Sequence, residues 1–444
     1  MSKRMMMGGA AAVALLSVPL IALARGGSDA GMAMGETMTI ARHAAGNPTV
    51  GVDGRDGTGF VAWIATADGR SNVFLARVGA DGRPGAPVRV NDRPGDAAPH
   101  EQAPAQVAVG PDGGVYVLWQ NNTKLAGRRF PASDLRFARS TDGGRTFGPA
   151  VTVNDDAGGV PSSHTFHDLV VGPDGTVWVS WLDSRAKDAA RAARPKPVSA
   201  QPAPAGNPHG AAGHGGMGHG GGDDADLPPS EVRVAKSTDG GRTFGPSIVV
   251  DTAPCPCCRT TLAVGADGAV YLAWRKEYGG DVRDVVVARM APGAASFGAP
   301  VRVHADQWVF PACPHAGPSL AVDARGRVHV GWYTGKEDRQ GLWYARSDDG
   351  GRTFGTPEAL VTGADITPSQ VSLTPRGDGV LLAWDDRPED GGRHVALARV
   401  DGDGRMARIG TVEGRIPALE SADGGALVAW HDHQTVYAAR LATR

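Results

Sequence analysis

The strongest constraint on this chain is a short segment that recurs seven times, each time a run of apolar and β-branched residues closing on tryptophan. The seven copies read GTGFVAWIA, GGVYVLWQN, GTVWVSWLD, GAVYLAWRK, GRVHVGWYT, DGVLLAWDD and GGALVAWHD, and they end at Trp63, Trp119, Trp181, Trp274, Trp332, Trp384 and Trp430. Their spacings of 56, 62, 93, 58, 52 and 46 residues are in the range that marks a propeller or a solenoid. Each unit follows one grammar: a strand such as LVVG, a tight PDG turn, the tryptophan strand, a variable loop, a third strand such as LRFARS, a glycine turn and a fourth strand such as PAVTVN. Four antiparallel strands of this kind make one propeller blade. The composition agrees, because 64 glycines and 32 prolines supply the turns that many short strands need.

The expected fold is therefore all-β, a seven-bladed propeller of four-stranded antiparallel blades, with six blades as the alternative if one weak unit is not a blade. The last unit stops after its third strand, TVYAARLA, while an orphan strand, ETMTIAR, precedes the first unit. The N-terminal strand is expected to complete the last blade, which closes the ring and removes two exposed sheet edges. The expected boundaries are a signal peptide at 1–24, a flexible N-terminus at 25–35 and the propeller at 36–444. The 93-residue spacing holds a Pro-, Gly- and His-rich insertion at 187–229 with too little apolar surface to order itself. Lys3 and Arg4 ahead of an apolar stretch, with Ala22-Leu23-Ala24 as a cleavage site, read as an export signal. The expected location is periplasmic or secreted, an oxidising compartment where disulfides are allowed, with no membrane attachment after cleavage. Lys plus Arg number 45 against 47 Asp plus Glu, and no basic run is interleaved with aromatics, so nucleic acid is not an expected partner.

Three turns between third and fourth strands are nearly identical: RSTDGGRTFG at 139–148, KSTDGGRTFG at 236–245 and RSDDGGRTFG at 346–355. They resemble the Asp-box of sialidase-like (BNR-repeat) propellers, Ser-x-Asp-x-Gly-x-Thr-Phe/Trp. The matching residues are Ser140, Asp142, Gly144, Thr146 and Phe147 and their counterparts from Ser237 to Phe244 and from Ser347 to Phe354. The box aspartates read as turn staples, since Ser and Asp side chains bond the backbone of their own turn. The resemblance implies, for an enzyme, an exo-α-sialidase type of glycoside hydrolase. Such an enzyme has a three-arginine clamp, a Tyr–Glu nucleophile pair, an Asp acid/base and a Phe/Tyr-Arg-Ile-Pro motif. That motif is missing from the N-terminal region, and GRIP at 414–417 lies in the last blade without the aromatic residue. Arg185, Arg259, Arg275, Arg387, Glu277 and Tyr278 are candidate pieces, but they read as solvated loop charge. A propeller alone does not assign an activity.

The four cysteines are placed more tellingly. Cys255, Cys257 and Cys258 lie in APCPCCRTTLAVG and Cys313 lies in PACPHAGPSLAVD, at the same structural point of two successive units. Both stretches are linkers into first strands, which line the channel of a propeller, so residues on them can meet near the axis. His43, His100, His164, His167, His304 and His315 occupy linkers of the same kind, whereas the Asp-box turns hold no His or Cys. Disulfides are one reading, with Cys313 bonded to the 255–258 cluster. A soft-metal site is a second, formed by Cys255, Cys257, Cys258, Cys313 and His315, with His164 and His167 as further ligands. Thiolates packed together favour copper, with zinc or no metal as the alternatives, and the His/Met tracts HGAAGHGGMGH and GMAMGETM suit copper outside the cytoplasm. Redox catalysis by a reactive thiol is a third reading, without a thioredoxin-like βαβ pattern to support it. The sequence thus points to an exported propeller with a Cys/His metal site. A sialidase-like hydrolase and a non-catalytic propeller that holds a protein partner on its rim are the alternatives.

Overall fold

A computed structural model describes residues 31–443, apart from 45, 127, 129–130, 195–225, 388–390 and 423–424. Seven antiparallel sheets make up the ring, six of four strands and a closing one whose fourth position is filled by two short strands, so the ring has seven blades and not six. Each tryptophan strand is the second strand of its blade, and Trp119, Trp181, Trp274, Trp332, Trp384 and Trp430 are fully buried. The core is seven apolar clusters, one at each blade–blade interface. Phe60 and Trp119 share the first, and Trp63 and Leu427 share the last, where the end of the chain meets its beginning. Hydrogen bonds between neighbouring innermost strands lace the axis. Leu262 donates its amide to Asp168 (2.7 Å), Leu373 donates to Ser319 (2.9 Å) and Leu419 donates to Ser372 (3.0 Å).

The ring closes through the expected N-terminal strand. Met38–Ala41 pairs antiparallel with Thr435–Thr443, and Met32–Met34 pairs with the far end of the same strand. The expectation of a flexible 25–35 is corrected at Met32–Met34, where Met32 is buried in the interface between the last two blades. The insertion is corrected at its start too. Arg185–Ala193 forms an α-helix anchored by buried Asp188, which takes Arg128 (3.0 Å) and Arg191 (2.8 Å). The expected signal peptide and most of the insertion, with His209, His214 and His219, lie outside the described residues.

The three repeated turns are stapled as their sequence requires. In the first, Ser140 Oγ accepts the Gly144 amide (2.9 Å), Asp142 Oδ1 accepts the Arg145 and Thr146 amides (2.9 and 3.0 Å), and the Thr146 hydroxyl donates to Asp142 Oδ2 (2.6 Å). The second and third turns repeat this network at Asp239 and Asp349. The threonine hydroxyl, followed by its amide, holds each aspartate well below the usual carboxylate range. With both oxygens so occupied, these aspartates are structural.

Candidate metal centre

Both cysteine linkers hang on the long hairpin of the fourth blade. Its strands Val270–Tyr278 and Val282–Met290 run past the ring, and each side captures one linker. On one side Cys255 donates its amide to the Arg275 carbonyl (2.8 Å) and Glu277 donates to the Ala253 carbonyl (3.0 Å). On the other, Arg283 donates its amide to Trp308 (2.8 Å) and Phe310 donates to Asp281 (3.0 Å). Four of the nine described non-glycine residues with positive φ sit in this one assembly: Ala253, Asp281, Gln307 and His315. Strain of this kind, on the order of 1–3 kcal/mol per residue, clusters where surrounding structure over-determines a functional loop.

The hairpin brings the two sulfur-bearing segments together. Cys255 Sγ lies 3.3 Å from Cys258 Sγ and 3.9 Å from Cys257 Sγ, and all three thiols are buried. Cys257 Sγ also lies within 4.8 Å of Cys313 Sγ and of an imidazole nitrogen of His315. No sulfur is bonded to another. Cys313 and His315 are half-buried, so they form the open side of the group.

Two guanidinium groups stand behind the sulfurs. Arg275 is 1% exposed; its fork donates to the carbonyls of Ala316 (3.0 Å), Tyr333 (2.6 Å) and Arg283 (3.2 Å), and its plane lies 5.1 Å from the centre of the Trp308 ring. This corrects the reading of Arg275 as solvated loop charge: the linker folds over it and its donors are consumed by backbone. Among the described residues no carboxylate pairs with it. Arg283, also fully buried, donates to Glu277 Oε2 (3.0 Å) and to the Phe310 carbonyl (2.6 Å), and its charge faces Cys255. Burial pushes the Cys255 thiol up to about 12. Cys257, which donates to its neighbouring sulfurs, is held protonated. Burial opposes ionisation of Cys258 as well. There it is outweighed by hydrogen bonds from Cys255 and Cys257, by the Arg275 charge and by the Ala316 amide, which together hold Cys258 well below an ordinary thiol. The hydrogen bond from Cys257 likewise lowers Cys313.

The histidines divide. His315 joins the sulfurs, and burial keeps it neutral, as a ligand must be. His100, 5.9 Å away ring to ring, is depressed to about 4 by burial; the position of this linker histidine was legible, but its closeness to His315 was not. His164 and His167 do not reach the cysteines. The His164 ring nitrogens are taken by the Ser133 carbonyl (2.6 Å) and by Asp156 (3.1 Å). His167 bonds the Pro104 carbonyl (3.0 Å) through Nε2, and its buried Nδ1 has no partner. Both lie on the strand His164–Val171 and not on a linker. A bulge between Thr165 and Asp168, with Phe166 at φ 55°, parts the two rings.

The pieces of a sialidase-like site are scattered. Glu277 is committed to Arg283, and Tyr278 stacks under Arg302, 4.2 Å away. Arg185 clamps Asp183 and Asp155. A cavity of about 200 Å³ is lined by His315 itself together with Arg387, Arg393, Arg415, Asp385 and Gln370, with no tyrosine in its wall. Arg415 belongs to the GRIP segment, and sequence reasoning had set it aside.

No family model matches the chain, and no curated protein is found to be similar to it. Solved structures do resemble it. An ulvan lyase of a new polysaccharide lyase family superposes with a TM-score of 0.55 at 11% identity, over 91% of this chain and 95% of its own. The polysaccharide lyase Uly1 gives 0.52 at 11% identity, over 91% of each chain. A Hadza microbial sialidase gives 0.50 at 14% identity, over 84% of this chain and 74% of its own. At such identities the likeness establishes the fold, a propeller shared with sialidases and polysaccharide lyases, and not the chemistry.

Proposed function

We propose that this chain is an exported propeller of the Asp-box type whose linker centre binds a soft metal ion, copper(I) before zinc. Its role is to hold copper, or to pass it on, outside the cytoplasm. The observation that carries this reading is Arg275: a fully buried cation whose donors end on carbonyls, which lies over the Trp308 ring and beside the Tyr333 hydroxyl, has no carboxylate partner among the described residues, and whose charge favours a Cys258 thiolate. A buried charge without a counter-charge is costly. A disulfide is neutral and would leave Arg275 with only carbonyl dipoles and the Trp308 ring around it, whereas metal-bound thiolates are anionic. The donor set is sulfur and imidazole with no carboxylate, which suits a soft ion. Cys255, Cys257, Cys258, Cys313 and His315 are the ligands on this reading. His164 and His167 are left out because neither joins the clustered donors.

The test is to purify the chain without chelators and measure copper, zinc and free thiols. The reading expects bound metal that is lost in Cys257→Ser. Metal-free protein with four oxidised cysteines refutes it. Export is tested by fractionation and by the mass of the mature N-terminus, expected at residue 25. The three arginines around one cavity favour a second reading, a hydrolase for an anionic sugar. Turnover of a fluorogenic sialoside that Arg415→Met abolishes would support it.

A further inference from the structure

The five donors do not form one group. They fall into two trios, Cys255–Cys257–Cys258 and Cys257–Cys313–His315, each with its ligand atoms within 4.8 Å of one another, and only Cys257 belongs to both. No four of the described donors share that mutual closeness. Zinc in a structural site takes four ligands at tetrahedral corners, with sulfurs ~3.8 Å apart for metal–sulfur bonds of about 2.3 Å. Neither trio supplies the fourth corner. Three sulfurs around a trigonal ion stand ~4 Å apart for the same bond length; Cys255 with Cys257, at 3.9 Å, has that separation, and Cys255 with Cys258, at 3.3 Å, would have to open to reach it on binding.

Resting on the metal reading above, we propose that the centre holds two monovalent copper ions that share the Cys257 thiolate, one in each trio. The inner ion is bound by Cys255, Cys257 and Cys258, all buried; the outer ion is bound by Cys257, Cys313 and His315, on the half-buried side. Copper enters at Cys313 and His315 and reaches the inner trio by exchange at the sulfur common to both. Each thiol that binds releases its proton, and copper stays in the +1 state, so no oxidant or reductant is needed. The surrounding charge is cationic where the thiolates form. Two copper(I) ions on four thiolates carry a net charge of −2; Arg275 and Arg283 stand beside the sulfurs, and because Glu277 pairs with Arg283 the local sum is −1.

The experiment is an anaerobic titration of the full chain with copper(I) buffered by a chromophoric chelator, with bound ions counted by native mass spectrometry. The His/Met insertion can bind copper by itself, so the quantity read is the difference between wild type and Cys257→Ser. The inference expects a difference of two ions. It expects one ion fewer than wild type in Cys313→Ser, at the half-buried side, and one fewer in Cys258→Ser, with folding checked by tryptophan fluorescence. A difference of one ion, or a Cys313→Ser variant that still binds as many ions as wild type, overturns the two-ion centre and leaves the metal reading standing. A difference of zero overturns the metal reading itself. Should Cys257→Ser fail to fold, X-ray absorption of the loaded wild type decides instead: a copper–copper scattering shell is expected, and its absence refutes the shared thiolate.

Discussion

Replacing Arg275 by methionine separates a thiolate centre from a neutral one. The guanidinium is buried, so its interaction with a metal–thiolate charge is neither screened by salt nor diluted by water. A unit charge pair at 4–6 Å and an effective dielectric of about 20 is worth roughly 3–4 kcal/mol. At about 1.4 kcal/mol per decade, that is two to three decades in Kd. The substitution also strands the carbonyls of Ala316, Tyr333 and Arg283, at a cost on the order of 1–3 kcal/mol each. That cost falls on metal-free and metal-loaded protein alike, so the informative quantity is affinity and not stability. Copper(I) affinity measured by chelator competition is expected to fall at least a hundredfold in Arg275→Met, with little dependence on salt. Arg275→Lys, which keeps the charge but loses the fork, should recover much of the loss. An affinity within threefold of wild type in a folded Arg275→Met protein would refute the counter-charge argument.

Glu420 supplies a pH test at the axis. Burial, with the Asp168 charge nearby, pushes its carboxyl up to about 7, so the folded chain binds this proton more tightly than the unfolded chain does. Its contribution is therefore greatest at acid pH and declines as pH rises from about 4.5 to about 7, by up to ~3 kcal/mol. Glu420→Gln should melt higher than wild type at pH 8 and close to it at pH 4.5 by calorimetry; parallel pH profiles would contradict this. The three box turns rank themselves. An alanine Cβ at Gly241 would stand 2.3 Å from Phe137 and one at Gly144 2.9 Å from Phe60, but one at Gly351 meets Tyr271 at an ordinary 3.7 Å. All three glycines have positive φ, which costs alanine about 1–2 kcal/mol. Chemical denaturation should therefore find Gly241→Ala the most damaging and Gly351→Ala the least, and equal losses would count against the packing described. Deleting residues 31–41 should lower the melting temperature and promote association through the bared Thr435–Thr443 edge, read by light scattering.

Blade number and ring closure were legible because a tryptophan strand that recurs at near-even spacing has few ways to bury itself. The second closing piece, Met32–Met34, was not: three residues between glycines carry no periodicity. The helix Arg185–Ala193 was lost inside a tract whose Pro and Gly content masked eight good helix formers in nine residues. At the centre, the meeting of Cys257 with Cys313 followed from equivalent linker positions. The place of Arg275 did not, because in sequence it is one more charge after a tryptophan. Its burial depends on a linker more than thirty residues later in the chain folding back across it. His164 and His167 were misplaced by the bulge at Phe166, which no local signal announced.

The central claim is that two distant thiol segments meet in a reduced, anionic, metal-binding state. Its most direct test is one measurement, the metal content and free-thiol count of a single sample of the protein purified without chelators or reductants. The account predicts copper retained on the chain and thiols that react only after the metal is stripped. Metal-free protein whose four cysteines are oxidised would contradict it.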